Sequence, residues 1–194
     1  MIIEPSELMR FVFDEHVAHY GEPDIHFRFD AHAAINKSVL DYLDVFVWRP
    51  TPEIPMTTLS TMGMGERAMI GCPHRCEIHW TIRGSMSEQE ESDAAAFLAN
   101  IATWPFLNNN HFDYWHVLPD VGHIPQFENC SSIIFHPAFK KGGWDQVVQK
   151  EMTVKLLNLI PISANEKELA ITSGVGVMLD RMYDQGVDIF KDRG

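Results

Sequence analysis

The sequence predicts an α+β fold: a mixed, largely antiparallel β-sheet packed with helices. Three observations carry this. Short strand-like segments and longer helical ones are interspersed without regular βαβ alternation, which disfavours a doubly wound sheet. Two S-x-x-E capping boxes mark helix starts at Ser87 and Ser163. Of the 194 residues, 45% are hydrophobic and 22% charged, so the chain can bury a core and is expected to form a single domain over residues 1–194.

The elements follow in order. Residues 6–20 carry Met9, Phe13, Val17 and Tyr20 at spacings of four and three, which predicts a helix with these on its buried face. His16 and His19 then fall on its exposed side. Ser6 is the expected N-cap, and Gly21 with Pro23 the stop. In residues 24–30 the period changes to two: Ile25, Phe27 and Phe29 alternate with polar residues, as in a half-buried strand. Residues 42–48, apolar nearly throughout, read as a central strand that leaves the sheet at Pro50. Residues 57–62 are a third strand closed by Gly63 and Gly65. A fourth spans 77–82 with Ile78, Trp80 and Ile82 on one face. Behind the first capping box a helix buries Ala94, Phe97, Leu98 and Ile101 and is expected to end before Trp104-Pro105. Residues 105–130 show no period and read as a long functional or surface loop. Strands at 133–135 and 153–160 follow, then C-terminal helices interrupted by Gly174 and Gly176. The core is expected to hold Phe46, Trp80, Phe97 and Leu157.

Charge and motifs exclude more than they assign. With 15 Lys+Arg against 27 Asp+Glu the net charge is −12, so the field repels phosphate, and neither nucleic acid nor an anionic membrane is an expected partner. No apolar run approaches the roughly 20 residues of a membrane span. Three cysteines and an acidic N-terminus without an apolar h-region point to a reducing, cytoplasmic setting. There is no phosphate-binding loop, H-E-x-x-H, G-x-S-x-G or C-x-x-C, and no cofactor is expected; Gly174-Val-Gly176 lacks the third glycine of a nucleotide loop. Cys72, His74, Cys76 and His79 have the ligand types that zinc prefers. They lie within one turn and one strand rather than two converging turns, so a structural metal is not expected. Ten histidines, among them His26, His32, His111, His116, His123 and His136, leave a second reading open: a metal-dependent hydrolase built on a histidine cluster. Asp180, Asp184 and Asp188 read as a solvated helix face.

Several segments together resemble the suppressor of fused domain. LDVFVWRP (43–50) followed by Thr58-Leu-Ser-Thr61-Met-Gly63-Met64 is similar to that family's strand, prolines and T-L-x-T-x-G-M turn. RCEIHW (75–80) matches its strand with an acidic start at Glu77. Gly122-His123-Ile-Pro125 is similar to its G-H-x-x-P loop, and the run 154–162 with Glu166 to its strand, I-P and acidic helix start. The resemblance covers about residues 24–184. Arg49 replaces a second proline, and Gly65 stands where a small hydroxyl residue is common.

The resemblance implies a non-catalytic protein-binding module of the bacterial single-domain type, an immunity protein against a secreted toxin or a scaffold or stress adaptor. The second domain with which animal members help clamp a transcription-factor peptide is expected to be missing, so their signalling role is not carried over. The expected partner surface combines Thr61, Met62, Gly63 and Met64 with Trp104, His111, Trp115, His123 and Pro125. The methionines are read there as an exposed, adaptable contact and the tryptophans as anchors. The net charge of −12 makes the expected partner basic.

Overall fold

The computed structural model describes residues 4–30 and 39–193. Its elements are α1 (Glu7–Tyr20), β1 (Ile25–Asp30), β2 (Tyr42–Trp48), β3 (Met56–Met62), a 3-10 turn (Met64–Glu66), β4 (Arg75–Arg83), α2 (Glu88–Leu107), β5 (Val117–Leu118), β6 (Ser132–His136), β7 (Gln146–Gln149), β8 (Met152–Ile162), α3 (Ala164–Ser173) and α4 (Val175–Asp184). One eight-stranded sheet runs in the order β1-β2-β3-β4-β8-β6-β5, with β7 beside the first half of β8. β4 and β8 pair parallel; the other pairings are antiparallel. The mixed, largely antiparallel α+β architecture is therefore as expected.

Alternation along the strands sorts side chains between two helical layers. Leu43, Val45, Val47, Leu59, Ile78, Trp80 and Ile82 face α2, packing with Ala94, Leu98 and Ala102 into the main core. On the opposite face α1 covers Met62, Val154 and Leu156, and α3 with α4 covers Ile134, Ile160 and Ile162. Trp80, Phe97 and Leu157 are core residues as expected. Phe46 is not: its parity along β2 turns it away from α2, and it is half-buried against the smaller cluster under α1.

Local chemistry explains most boundaries. Ser6 caps α1 by accepting from the Met9 amide, and Gly21, at φ 84°, ends it. Ser87–Glu90 and Ser163–Glu166 form reciprocal capping boxes. Three expectations need correction. α2 does not stop before Trp104-Pro105 but runs through Pro105 to Leu107. The proline sits in the last turn, where it removes one ladder bond, and Asn108 caps the Trp104 carbonyl by backbone and side chain. The buried line of α1 is Met9, Val12 and His16, rotated by about one residue from the expected Met9-Phe13-Val17-Tyr20 face. β2 is second from the sheet edge rather than central. Two short strands, β5 and β7, interrupt stretches that carry no strand period in the sequence. His32 lies outside the described residues.

The register also aligns one residue from each of six strands: His26, Phe46, Ser60, His79, Asn158 and His136 oppose one another in succession. Directly opposed residues share a face. This row lies on the α1 side.

Candidate functional site

Beneath α1 the sheet buries two polar centres. The first is Glu77 on β4, fully buried. Its carboxylate accepts from the Thr61 hydroxyl at 2.6 Å and from the amides of Gly63 and Gly65, each at 2.9 Å. The Thr61 Oγ1 in turn accepts from the Ile78 amide at 2.7 Å, locking β3 to β4. Burial outweighs these donors and holds the carboxyl at a pKa of about 7. The turn must bend its amides toward Glu77, which Gly63 permits at φ 123°; a Cβ there would stand 3.1 Å from the Tyr42 carbonyl oxygen.

The second centre joins α1 to β4. His16 Nε2 lies 2.8 Å from His79 Nε2 and 3.1 Å from Ser60 Oγ, while His16 Nδ1 bonds the Val12 carbonyl at 2.7 Å. Nδ1 is therefore the protonated nitrogen of neutral His16, and His79 donates to the bare Nε2. Trp144, Tyr20 and Trp48 surround the pair, with ring centroids 4.8–6.5 Å from that of His16. A serine beside two histidines suggests a nucleophile, but the geometry is not that of a relay. Ser60 and His79 share the same nitrogen of His16, and no carboxylate orients it. All three residues are buried.

The residues expected to bind a partner do not form one surface. Thr61, Met62, Gly63 and Met64 are all buried, so the methionines are not an exposed contact: the turn folds inward onto Glu77 and beneath α1. The remaining five divide between two grooves. Trp104, His111 and Trp115 line one of about 320 Å³ with His116 and β5. Trp115 is 45% exposed and sits at φ 70°, an uncommon conformation for a bulky residue, held by its amide donating to the Phe135 carbonyl at 2.6 Å. His123 and Pro125 line a second groove of about 660 Å³ beside α2. It also carries the carboxylates of Glu90, Asp93, Glu128 and Asp192 and no lysine or arginine.

The histidines and cysteines separate likewise. His16 pairs with His79, His111 contacts His116 at 5.3 Å between ring centroids, and His136 contacts Trp115 at 4.6 Å. His74 bonds the Phe112 carbonyl at 3.1 Å, and the buried Cys76 thiol points at the same oxygen. Among the described residues no three His, Cys, Asp or Glu side chains converge in a way that could hold a metal ion. His16 is the reverse of its expected placement: instead of lying on the exposed side of α1, its imidazole is among the most buried side chains.

A family model for the suppressor of fused protein matches residues 40–192, most of the chain. The chain belongs to the suppressor of fused family. No curated protein sequence matches it. In fold it is similar to a suppressor of fused homologue from Neisseria gonorrhoeae, at TM-score 0.69 and 15% identity over 95% of this chain and 94% of that one. The Sufu–Fu complex gives TM-score 0.62 and 11% identity over 95% and 87% of the respective chains. Drosophila Suppressor of Fused gives 0.59 and 12%, over 95% of this chain but 48% of that one.

The suppressor of fused motif thereby acquires a physical meaning in this chain. Thr61, Gly63 and the acidic Glu77 are separated in sequence and meet as donors and acceptor of one buried carboxylate. Gly63→Ala is accordingly expected to destabilise by more than about 1 kcal/mol, because alanine is strained at this φ and its Cβ meets backbone. Urea denaturation checks this; an unchanged midpoint would contradict it. Nothing among the described helices is long and apolar enough to cross a membrane.

Proposed function

We propose that this suppressor of fused domain is a non-catalytic protein-binding module that captures a basic partner. The observation that carries the reading is the groove beside α2, where four carboxylates and no cation line a concavity that also holds His123 and Pro125 of the family-type loop. Such a lining suits a lysine- or arginine-rich segment, and the net charge of −12 speeds its encounter. Trp115, exposed at the other groove, supplies an anchor of the type that dominates interfaces. The similarity of fold to the Sufu–Fu complex supports a role in protein binding. In the finer reading the partner is a secreted toxin and the domain its cytoplasmic immunity protein; a scaffold role differs only in the partner. The hydrolase reading gains no support, because among the described residues no three metal-ligating side chains converge.

Affinity capture from the native host, followed by titration of the purified partner, tests this. Trp115→Ala is expected to weaken binding by roughly 2 kcal/mol, about thirtyfold. His123→Ala should weaken it less, and the association rate should fall as salt rises. Normal binding by both folded variants would remove the surface, and an acidic partner or salt-indifferent association would remove the electrostatic reading.

A further inference from the structure

We propose that α1 is a proton-released clasp: adding a proton to the His16–His79 pair lifts this helix off the sheet while the α2 side of the fold stays intact.

The geometry makes the pair a joint between two elements. His16 belongs to α1 and His79 to β4, and their Nε2 atoms share a single proton across 2.8 Å. On His16, with Nδ1 committed to the Val12 carbonyl, a second proton has only Nε2 to occupy, which sets two N–H donors face to face; on His79 it can go to Nδ1 and leave the contact in place. On either ring an imidazolium would lie in a layer shielded from water. The surroundings offer that charge little relief. From α1, His19 stands nearby and adds like charge, and Tyr20 presents its ring. From β2 and the segment before β7 come the Trp48 and Trp144 rings, and from β3 the Ser60 hydroxyl. On β8, Asn158 opposes His79 and gives its amide to the Pro137 carbonyl. On β4 the nearest acid of the same face is Glu77, two residues along, which is already protonated when the imidazoles titrate.

Burial holds His16 down at about 4 and His79 well below the ordinary imidazole value. The sign follows from linkage. Undocked, both rings titrate near 6.5; docked, they resist the proton, so docking is strongest above 6.5 and weakens as pH falls. His16 alone shifts the docking equilibrium about tenfold per pH unit below that value. The other contacts of α1 are mainly apolar: Met9 and Val12 are buried, Leu8, Phe11 and Phe13 pack on the same cluster, and Tyr20 meets Trp48, while the Ser6 amide donates to Glu66 and Lys150 pairs with Glu7 at the exposed end. A helix of 14 residues has marginal stability once detached.

Hydrogen exchange resolved by segment tests this, comparing pH 7 with pH 4.5 after correction for intrinsic rates. Protection in residues 7–20 is expected to fall by more than about a hundredfold, the share of His16 alone, while residues 94–102 of α2 keep theirs. Trp144, whose ring stacks on His19 and edges His16, should change its emission over the same range, identified by its loss in Trp144→Phe. His16→Leu is expected to reduce the pH dependence of α1 to the part due to His79. His79→Gln, which retains a neutral donor to His16, should reduce it to the part due to one ring, and serves if the leucine variant does not fold. The proposal is overturned if α1 keeps its protection at pH 4.5, if α1 and α2 lose it together, or if the variants respond as the wild type does.

Discussion

Trp80→Ala is expected to cost roughly 3–5 kcal/mol and to leave the protein largely unfolded. Trp80 is among the largest fully buried side chains. It stands on β4, near the middle of the sheet, opposite Leu59, with its ring 5.3 Å from Phe97 of α2 and 5.9 Å from Phe127 of the following loop. Truncation therefore opens a cavity where sheet, helix and loop meet, and none of the three can collapse without moving the others. A second variant separates volume from polarity. The Trp80 Nε1 is buried without a hydrogen-bond partner, so the wild type already carries the cost of one orphaned donor. Trp80→Phe removes that donor with part of the volume and is expected to cost much less than alanine. Phe46→Ala should also cost less, since Phe46 is only half-buried against Phe13 and α1. Urea midpoints order the three variants; a folded Trp80→Ala with near-native melting temperature would contradict this account of the core.

Much of the fold was legible where a residue's role is decided by its immediate neighbours. Both capping boxes form as their spacing requires, because the partners lie within one turn. The alternation of Ile25, Phe27 and Phe29 survives because β1 is an edge strand with one covered face. Roles that tertiary contacts decide were not legible. Apolar periodicity fits Met9-Phe13-Val17-Tyr20, but a stripe through Met9, Val12 and His16 fits nearly as well once an imidazole is allowed inside. What selects it is His79, 63 residues away. The same holds for Thr61–Met64: a Gly-containing turn with methionines reads as surface until Glu77 is placed beneath it. Trp144, which closes the aromatic enclosure, carried no local signal at all. Of the two grooves, the loop containing His123 and Pro125 was visible through family resemblance. Its carboxylates come from α2, the loop itself and the C-terminal segment, and only folding brings them together.

The remaining large effect belongs to Glu77, and its sign depends on pH. Unfolded, its carboxyl titrates near 4.5; in the fold burial raises it to about 7. Between those values the folded state holds a proton that the unfolded state has released. The stability this group contributes is fully present below 4.5 and is lost as pH rises through 7. The loss is about 3 kcal/mol once the carboxylate is ionised in the fold. Glutamine keeps an acceptor for the Gly63 and Gly65 amides and stays neutral. Glu77→Gln is therefore expected to gain stability relative to the wild type as pH rises from 5 to 8, by up to about 3 kcal/mol. His16 and His79 titrate in both proteins, so their opposite slope cancels in the difference. Glu77→Ala behaves otherwise. It strands two amides and a threonine hydroxyl in a buried space and costs roughly 1–3 kcal/mol for each donor left unsatisfied, at acid pH above all. Chemical denaturation of the three proteins across this range distinguishes the terms. A constant offset between Glu77→Gln and wild type would mean that the carboxyl is ionised throughout, so that its donors outweigh its burial.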